Sequence, residues 1–276
     1  MLVHIGKIYT NMPEFKLKDY DLRDTIVATA TFLSKSALGV IKISGKNALT
    51  ILSKIFIPKR KKNIKKVKTY TLHYGWIRQN VKNKSKKDKD IFIDEVLVSV
   101  MKAPNSYTTE DVVEISSHGG IVAVNKILEI VLNEGARLAL PGEFTYRALI
   151  KGRIDLLQVE SISGIVEAKS EKALIAASSQ LKGGASVKIK RIKEKLKELL
   201  IQTEAVITFP EDEIEFSYLA FGNKMKILSE EVFKMVEGSN EAKILKEGLK
   251  CVICGKTNAG KSTLFNRILK EERVIV

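Results

Sequence analysis

The sequence predicts an α+β domain, then an α-helical domain, then the first strand–loop–helix unit of a phosphate-binding (P-loop) α/β domain. Three observations predict these parts. Apolar residues recur at period two in several segments of 24–116, which is typical of half-buried strands. From 141 to 247 they recur at helical spacing, which favours a helical bundle. A G-x-x-x-x-G-K-S motif occupies 255–262. We therefore divide the chain into an N-terminal extension at 1–23 and domains at 24–140, 141–247 and 248–276.

Five strands and two helices are predicted in the α+β part. The first helix follows Ser44, which we expect to be its N-cap. The second helix ends at Gly135, a C-cap position that glycine favours. These elements are enough for a hydrophobic core of their own. The strands are predicted at 24–33, 39–44, 69–77, 91–101 and 111–116.

The helical part contains three amphipathic stretches. We expect one long helix over 159–181 and a second over 189–206, whose outer face is strongly basic. Pro210 should end the second helix, because proline cannot continue the hydrogen-bond ladder. A third helix over 225–236 should end near Gly238. One-sided apolar stripes of this kind are typical of a bundle core.

The motif at 255–262 predicts a nucleotide site. The apolar run at 249–254 is predicted to be a buried strand, and 264–269 the helix that leaves the loop. Backbone N–H groups of such a loop point at phosphate oxygens, and the helix N-terminus adds its positive dipole end. Lys261 should reach the β- and γ-phosphates, and Ser262 should bind Mg²⁺. Only 14 residues follow Ser262, so we expect the front part of a longer protein, inactive in nucleotide hydrolysis alone.

Charge is concentrated in one segment. The chain has a net charge of +15, and 54–90 holds 14 Lys/Arg and two Asp. This segment is either a solvated loop or a basic arm for an RNA backbone. No apolar stretch approaches the roughly 20 residues of a membrane span and no secretory signal is apparent, so we expect a cytoplasmic protein without membrane contact. Cys251 and Cys254 form a lone C-x-x-C, and buried thiols are favoured over a redox pair or half a zinc site.

Six local motifs together resemble one family. The chain resembles the tRNA modification GTPases of the MnmE/TrmE family over nearly all of 24–276. The motifs are D-T-I-V-A at 24–28, P-N-S-Y-T-T-E-D at 104–111, H-G-G at 118–120, P-G-E-F-T-Y-R at 141–147, I-T-F-P-E-D-E-I at 207–214 and the loop at 255–262.

The resemblance implies a three-part protein. Its N-terminal α+β domain binds tetrahydrofolate and forms the homodimer, a helical domain follows, and a Ras-like G domain is inserted into the helices. The family hydrolyses GTP with Mg²⁺ and K⁺. With a flavoprotein partner of the MnmG/GidA type, it builds a carboxymethylaminomethyl-type group on the wobble uridine of tRNA, with 5-formyltetrahydrofolate as the one-carbon donor.

The resemblance also implies roles for single residues. Folate-binding positions fall on Lys42, Glu114 and Arg153. The family usually has arginine at the first position and lysine at the third, and the two cations differ in hydrogen-bond geometry. Asn258 would also hold K⁺, and Ser262 would hold Mg²⁺. The GTP-binding positions are Gly255, Asn258, Ala259, Gly260, Lys261, Ser262 and Thr263.

Two other functions stay open. One is a stand-alone folate-binding dimerisation module with a vestigial phosphate loop. The other is a basic RNA-binding protein that uses 54–90. The D-x-x-G and N-K-x-D motifs of a GTPase do not occur after the phosphate loop, so guanine specificity rests on the resemblance.

Overall fold

A computed structural model describes residues 22–60, 63–81, 89–209, 216–247 and 251–273. The chain forms two compact units, Met1–Asp155 and Leu156–Val276. The first is an α+β unit and the second is helical, as the sequence predicts. Most of the N-terminal extension, Pro210, and parts of 54–90 and 248–276 lie outside the described residues.

The first unit contains a seven-stranded mixed sheet in the order β3-β4-β5-β6-β2-β1-β7. Neighbouring strands are antiparallel, except that β1 and β7 are parallel. The two-residue β7 was not predicted, because two residues are too few to show a period. The strands are β1 (Ile26–Thr29), β2 (Ser36–Ser44), β3 (Phe56–Pro58), β4 (Thr71–Val81), β5 (Lys89–Met101), β6 (Val112–Gly119) and β7 (Arg137–Leu138).

Two helices pack on the sheet and form the core with it. Helix α1 (Ala48–Ile55) contacts β4 and β6, and α2 (Ile121–Asn133) contacts β1, β2, β5 and β6. Ile41 and Ile43 on β2 are fully buried in this core, and each such side chain contributes about 1.5–3 kcal/mol. Because side chains alternate along a strand, Lys42 lies on the opposite face of the sheet.

The predicted cap of α1 is wrong. Asn47, not Ser44, occupies the N-cap position. Gly45 has a φ of +136°, so the chain turns between Ser44 and the helix. The Ser44 hydroxyl is buried and donates to Glu110 at 2.7 Å, because a buried carboxylate attracts this donor. Gly135 does follow α2 with a φ of +102°, as its predicted C-cap role requires.

The first unit extends beyond the boundary predicted between 140 and 141. Helix α3 (Glu143–Ile150) belongs to it. Buried ion pairs join Arg147 of this helix to Asp24 and Glu110. The helical periodicity of 141–155 could not reveal these partners, because they are distant in sequence.

The second unit begins with a helical hairpin where one long helix was predicted. Helices α4 (Leu156–Val166) and α5 (Glu171–Leu181) are separate, and the Ser170 hydroxyl caps α5 by accepting from the Ala173 N–H at 3.2 Å. Gln158 donates to the Leu181 carbonyl at 2.8 Å, and Gln180 donates to the Leu157 carbonyl at 3.0 Å. The break therefore lets both apolar stripes pack on one another.

Three further helices follow in the described residues. Helix α6 (Gly184–Thr208) confirms the second predicted helix. Helix α7 (Tyr218–Glu247) continues through Gly238, where an end was predicted, because one glycine costs a helix only about 1 kcal/mol. Helix α8 (Lys261–Leu269) leaves the phosphate loop. Among the described helices, none combines the length and apolar character that crossing a membrane requires.

The strand predicted before the phosphate loop is not observed in its described part. Residues 251–254 have no regular secondary structure. Cys251 and Cys254 are exposed, which corrects the prediction of buried thiols. A strand needs a neighbour to pair its backbone groups, and the described part of the second unit contains no strand.

Candidate functional site

The predicted folate-binding residues begin with an ion pair on the sheet. Lys42 on β2 and Glu114 on β6 are directly opposite in register. Lys42 Nζ lies 3.2 Å from Glu114 Oε1, and the two side chains are 19% and 33% exposed. The carboxylate is therefore held in position by its partner and still reachable from solvent.

Tyr107 brings the third predicted residue to this pair. Lys42 Nζ and Arg153 Cζ each lie 4.8 Å from the centroid of the Tyr107 ring, within the range of cation–π attraction. Lys42 Nζ also lies 5.6 Å from the centroid of Phe144. The Tyr107 ring thus links Arg153 to the ion pair of Lys42 and Glu114. Tyr107 was not predicted as a site residue, although it lies inside the 104–111 motif.

The chemistry of this cluster fits a folate. A pterin presents an amide-and-amine edge that a carboxylate such as Glu114 can accept from, and its flat ring can stack on an aromatic side chain. Cations such as Arg153 match the carboxylates of the folate tail. The cluster supplies all three kinds of group on neighbouring elements of one unit.

A buried ion-pair network lies next to this cluster. Arg147 is fully buried and contacts three carboxylates. Its Nη2 lies 2.7 Å from Asp24 Oδ1 and 2.9 Å from Glu143 Oε1, and its Nη1 lies 3.2 Å from Glu110 Oε2. Such a guanidinium is stable away from water only while these partners neutralise and hydrogen-bond it.

Two further cations balance the three carboxylates. Arg137 Nε lies 2.6 Å from Asp24 Oδ2, and Arg137 Nη2 lies 2.7 Å from Glu143 Oε1. Lys151 Nζ lies 2.8 Å from Glu110 Oε1. The network therefore joins three positive and three negative side chains. The network could not be predicted from the sequence, because spacing does not show which distant charges pair.

The network changes the ionisation of its carboxyl groups. Burial alone would raise the pKa of Glu143, but hydrogen bonds from Arg137, the Leu140 N–H and Arg147 outweigh burial and lower it. The pKa of Asp24 is likewise lowered, since hydrogen bonds from Arg137 and Arg147 overcome the effect of burial. Both groups are therefore held as carboxylates.

This network positions the aromatic part of the cluster. Glu143 and Arg147 lie on α3 on either side of Phe144 and Thr145. Thr145 Oγ1 lies 3.0 Å from the Tyr107 hydroxyl. The Ser106 hydroxyl donates to the Glu110 carbonyl at 2.6 Å, which closes the loop that carries Tyr107. Fixing α3 and Glu110 thus fixes the ring against which Lys42 and Arg153 lie.

The H-G-G motif forms a local feature at the end of β6. His118 Nδ1 lies 2.7 Å from Asp94 Oδ1, and the His118 N–H donates to Asp94 Oδ2 at 2.8 Å. The hydrogen bond to Asp94 raises the pKa of His118. A Cβ on Gly119 would lie 2.3 Å from the Ser36 carbonyl oxygen. Glycine is therefore needed here for β2 to approach β6.

The phosphate loop of the second unit consists of turns that lead directly into α8. Asn258 and Gly260 have φ values of +58° and +78°. Gly260 is the N-cap, and α8 starts at Lys261. Lys261 Nζ turns back and donates to the Lys256 carbonyl at 2.6 Å, which places its ammonium over the loop. Ser262 lies in the first turn of the helix. The Ser or Thr that binds Mg²⁺ in a phosphate loop occupies the same position.

This loop fits the phosphate part of a nucleotide. A helix N-terminus, a lysine ammonium over the loop and two residues at positive φ are the groups that a polyphosphate needs. The predicted positions Gly255, Ala259 and Thr263 belong to the same loop and helix start. The described residues include neither the D-x-x-G nor the N-K-x-D motif of a GTPase, so they show no contact for a guanine base.

Comparisons with known proteins agree with these features. The family model described as the GTP-binding protein TrmE N-terminus matches residues 25–153, and the MnmE helical domain model matches 156–274. These matches meet close to the boundary between the two compact units.

Curated relatives with the name tRNA modification GTPase MnmE are similar along most of the chain. Those of Thermoanaerobacter pseudethanolicus, Carboxydothermus hydrogenoformans and Bacillus subtilis are 48%, 43% and 39% identical to it over 254, 258 and 255 residues. Each alignment covers 92% of this chain and 54% of the relative. The chain thus spans about half the length of the curated relatives it matches. With both family models matched in order and this level of identity, the chain belongs to the MnmE/TrmE family.

Proposed function

We propose that this chain is part of a K⁺-activated, Mg²⁺-dependent GTPase that modifies the wobble uridine of tRNA in the cytoplasm. Its N-terminal unit binds 5-formyltetrahydrofolate and forms a homodimer. A flavoprotein of the MnmG/GidA type is the partner in building the carboxymethylaminomethyl-type group. The relatives' names support tRNA modification and a GTPase. The residues of this chain support binding of a folate and of nucleotide phosphates, and the resemblance to the family supports K⁺, the homodimer and the flavoprotein partner.

The cluster of Lys42, Glu114 and Arg153 around Tyr107 is the observation that carries the proposal. In it, Glu114 accepts hydrogen bonds from the pterin edge, and the Lys42 ammonium holds that carboxylate in its orientation. Arg153 holds a carboxylate of the folate tail. The bound folate supplies the one-carbon unit, and the protein's part is to hold it against a rigid sheet.

The phosphate loop has a separate role in the same proposal. Lys261 neutralises the β- and γ-phosphates, the loop N–H groups bind their oxygens, and Ser262 is a ligand of Mg²⁺. Asn258 contributes to the K⁺ site. We propose no GTP turnover by the 276-residue chain itself, because its sequence lacks the D-x-x-G motif after the loop. Detecting K⁺-stimulated hydrolysis in the purified chain would contradict this.

Titration calorimetry with 5-formyltetrahydrofolate tests the folate assignment. We expect saturable binding by the chain and a loss of about 10- to 100-fold in affinity for Glu114→Gln, because charge-assisted hydrogen bonds contribute about 1.5–3 kcal/mol. Lys42→Ala and Arg153→Ala should also weaken binding. The amide keeps the shape of the carboxylate but replaces one acceptor with a donor.

Glu129→Gln is the matched control. Glu129 is an exposed carboxylate on α2 that pairs with Lys126 at 3.0 Å, and its replacement should leave folate affinity unchanged. Two results would refute the folate assignment and leave the family membership intact. One is equal affinity for the unmodified chain and all variants, and the other is no binding by a chain that is shown to be folded.

A stand-alone folate-binding dimerisation module is the second candidate. It is favoured by the irregular segment 251–254 before the phosphate loop, in which both cysteines are exposed. Binding of a fluorescent GTP analogue distinguishes the two functions. Binding that is lost in Lys261→Ala supports the GTPase, and folate binding without any nucleotide binding supports the module.

A further inference from the structure

The edge of the sheet at β3 and β4 concentrates positive charge. The described residues from 54 to 81 include seven Lys/Arg and no Asp/Glu. Two of these cations have acidic partners, Lys54 with Glu134 at 2.8 Å and Arg78 with Asp90 at 2.7 Å. The other five form no ion pair with any residue of the described part of the chain. They are Lys59, Arg60, Lys65, Lys66 and Lys68.

The tertiary structure adds a sixth cation to these five. Lys102 follows β5, and its Nζ donates to the Lys65 carbonyl at 2.9 Å. Its N–H donates to Thr69 Oγ1 at 3.0 Å, so the segment that leads into β4 is held against it. We call these six cations the basic edge. Lys59, Arg60, Lys65, Lys66 and Lys68 are exposed, and Lys102 is half-buried.

Exposed aromatic rings lie among these cations. Tyr70 is 70% exposed and Tyr74 is 41% exposed. Lys59 Nζ lies 5.0 Å from the centroid of Tyr74. The Tyr74 hydroxyl is engaged with Glu95, and this hydrogen bond raises the pKa of Tyr74. Glu95 thus contacts the hydroxyl of Tyr74 and not the face of its ring.

The Tyr74 ring also forms part of a surface cavity. The cavity has a volume of about 520 Å³. Its walls are Pro58, Lys59, Arg60, Leu72, His73 and Tyr74. Cations and an aromatic ring therefore share one concave site at the edge of the sheet.

We infer that the basic edge binds an RNA strand, with Tyr74 as a stacking platform for a base. Lysines and arginines without acidic partners neutralise backbone phosphates, and an adjacent aromatic ring accepts an unpaired base. Charge alone would also attract an acidic protein, but a concave site that combines cations with an exposed ring provides for a phosphate and a base together. The identity of this RNA as the tRNA substrate rests on the proposed function. The binding of an RNA strand rests only on the cations and the ring of this surface.

Fluorescence anisotropy of a labelled oligouridylate and a labelled tRNA transcript, over a series of KCl concentrations, tests the inference on the full chain. We expect Lys65→Gln/Lys66→Gln/Lys68→Gln to weaken binding and to reduce the slope of log K against log [KCl] by about 2 for the single strand. Lys190→Gln/Lys193→Gln/Lys197→Gln is the matched control, because it removes the same charge from exposed positions of α6. That control should leave both affinity and slope nearly unchanged.

Tyr74 provides an independent arm of the experiment. Tyr74→Leu should lower oligouridylate affinity roughly tenfold, and Tyr74→Phe should retain it, because stacking requires the ring. Equal losses in the two lysine triples would overturn the inference in favour of net charge alone. Inorganic polyphosphate competing as well as RNA, with no effect of Tyr74→Leu, would also overturn it. A chain that binds folate but not RNA would refute the RNA site and leave the proposed folate function standing.

Discussion

Replacing Arg147 with methionine is expected to lower the free energy of unfolding of the first unit by about 4 kcal/mol. The substitution keeps an unbranched side chain of similar length and removes the guanidinium. Glu143, which is fully buried, then loses a bond of 2.9 Å. Asp24 and Glu110 lose bonds of 2.7 and 3.2 Å. The measurement is urea unfolding followed by the fluorescence of Trp76, which lies on β4 of this unit.

Lys54→Met is the control for this prediction. Lys54 forms an ion pair of 2.8 Å with Glu134, but its side chain is 53% exposed. Exposed pairs contribute about 0–1 kcal/mol, so the control should unfold almost as the unmodified chain does. If Arg147→Met lowered the free energy of unfolding as little as Lys54→Met does, the prediction would be wrong. Water would then replace the guanidinium as the partner of the carboxylates.

Acid provides a second readout of the same network. The pKa values of Asp24 and Glu143 are lower in the folded protein than their ordinary values of 3.8 and 4.5. Their contribution to stability is therefore complete above the ordinary values and is lost as the pH falls through the lower folded values. Arg147→Met removes one cause of both lowered pKa values. The stability of this variant should therefore fall less steeply than that of the unmodified chain as the pH drops below 4.5.

Replacing Gly75 with alanine is expected to destabilise the first unit by about 3 kcal/mol, at the upper end of overpacking effects. A Cβ at this position of β4 would lie 2.2 Å from the Ile57 carbonyl oxygen and 2.8 Å from the ring of Phe56. The backbone of β3 must move to admit a methyl group, and Phe56 leaves its place in the core. Urea unfolding measures the loss.

Gly120→Ala is a control with the same change of one methyl group. Gly120 has a φ of −68° as the N-cap of α2, and a Cβ there would meet nothing within 4 Å. We expect a cost of about 1 kcal/mol or less, because glycine is only a modest N-cap. Equal effects of the two substitutions would mean that β3 is not held against β4 as the structure has it.

Local patterns were enough to predict much of this fold. The alternation at 91–101 predicted β5, and the apolar stripe at 189–206 predicted α6, because each pattern lies within one element. The single helix predicted at 159–181 was wrong, because the apolar period continues across the break at 167–170. Cys251 and Cys254 were predicted to be buried from their apolar flanks, yet burial depends on a neighbouring strand, and the described part of the second unit contains none.

The candidate site was predictable only residue by residue. Lys42, Glu114 and Arg153 came from the resemblance to the family, and Tyr107 was not singled out. Whether Lys42 and Glu114 pair depends on β2 and β6 being neighbours, which no spacing in the sequence reveals. The ion pair between Arg147 and Asp24 spans 123 positions, so its partners could not be matched from charge alone.

The sequence by itself determined the order of the α+β and helical parts, the helix that follows the phosphate loop, and the excess of basic charge in 54–90. These properties depend on period, on short motifs and on composition, which the chain carries locally. Only the tertiary structure decided which charges neutralise one another and which stay free of acidic partners in the described residues. Lys102 joins the basic edge, and Arg147 is buried among three carboxylates, because strand order and the packing of α3 decide which distant residues meet.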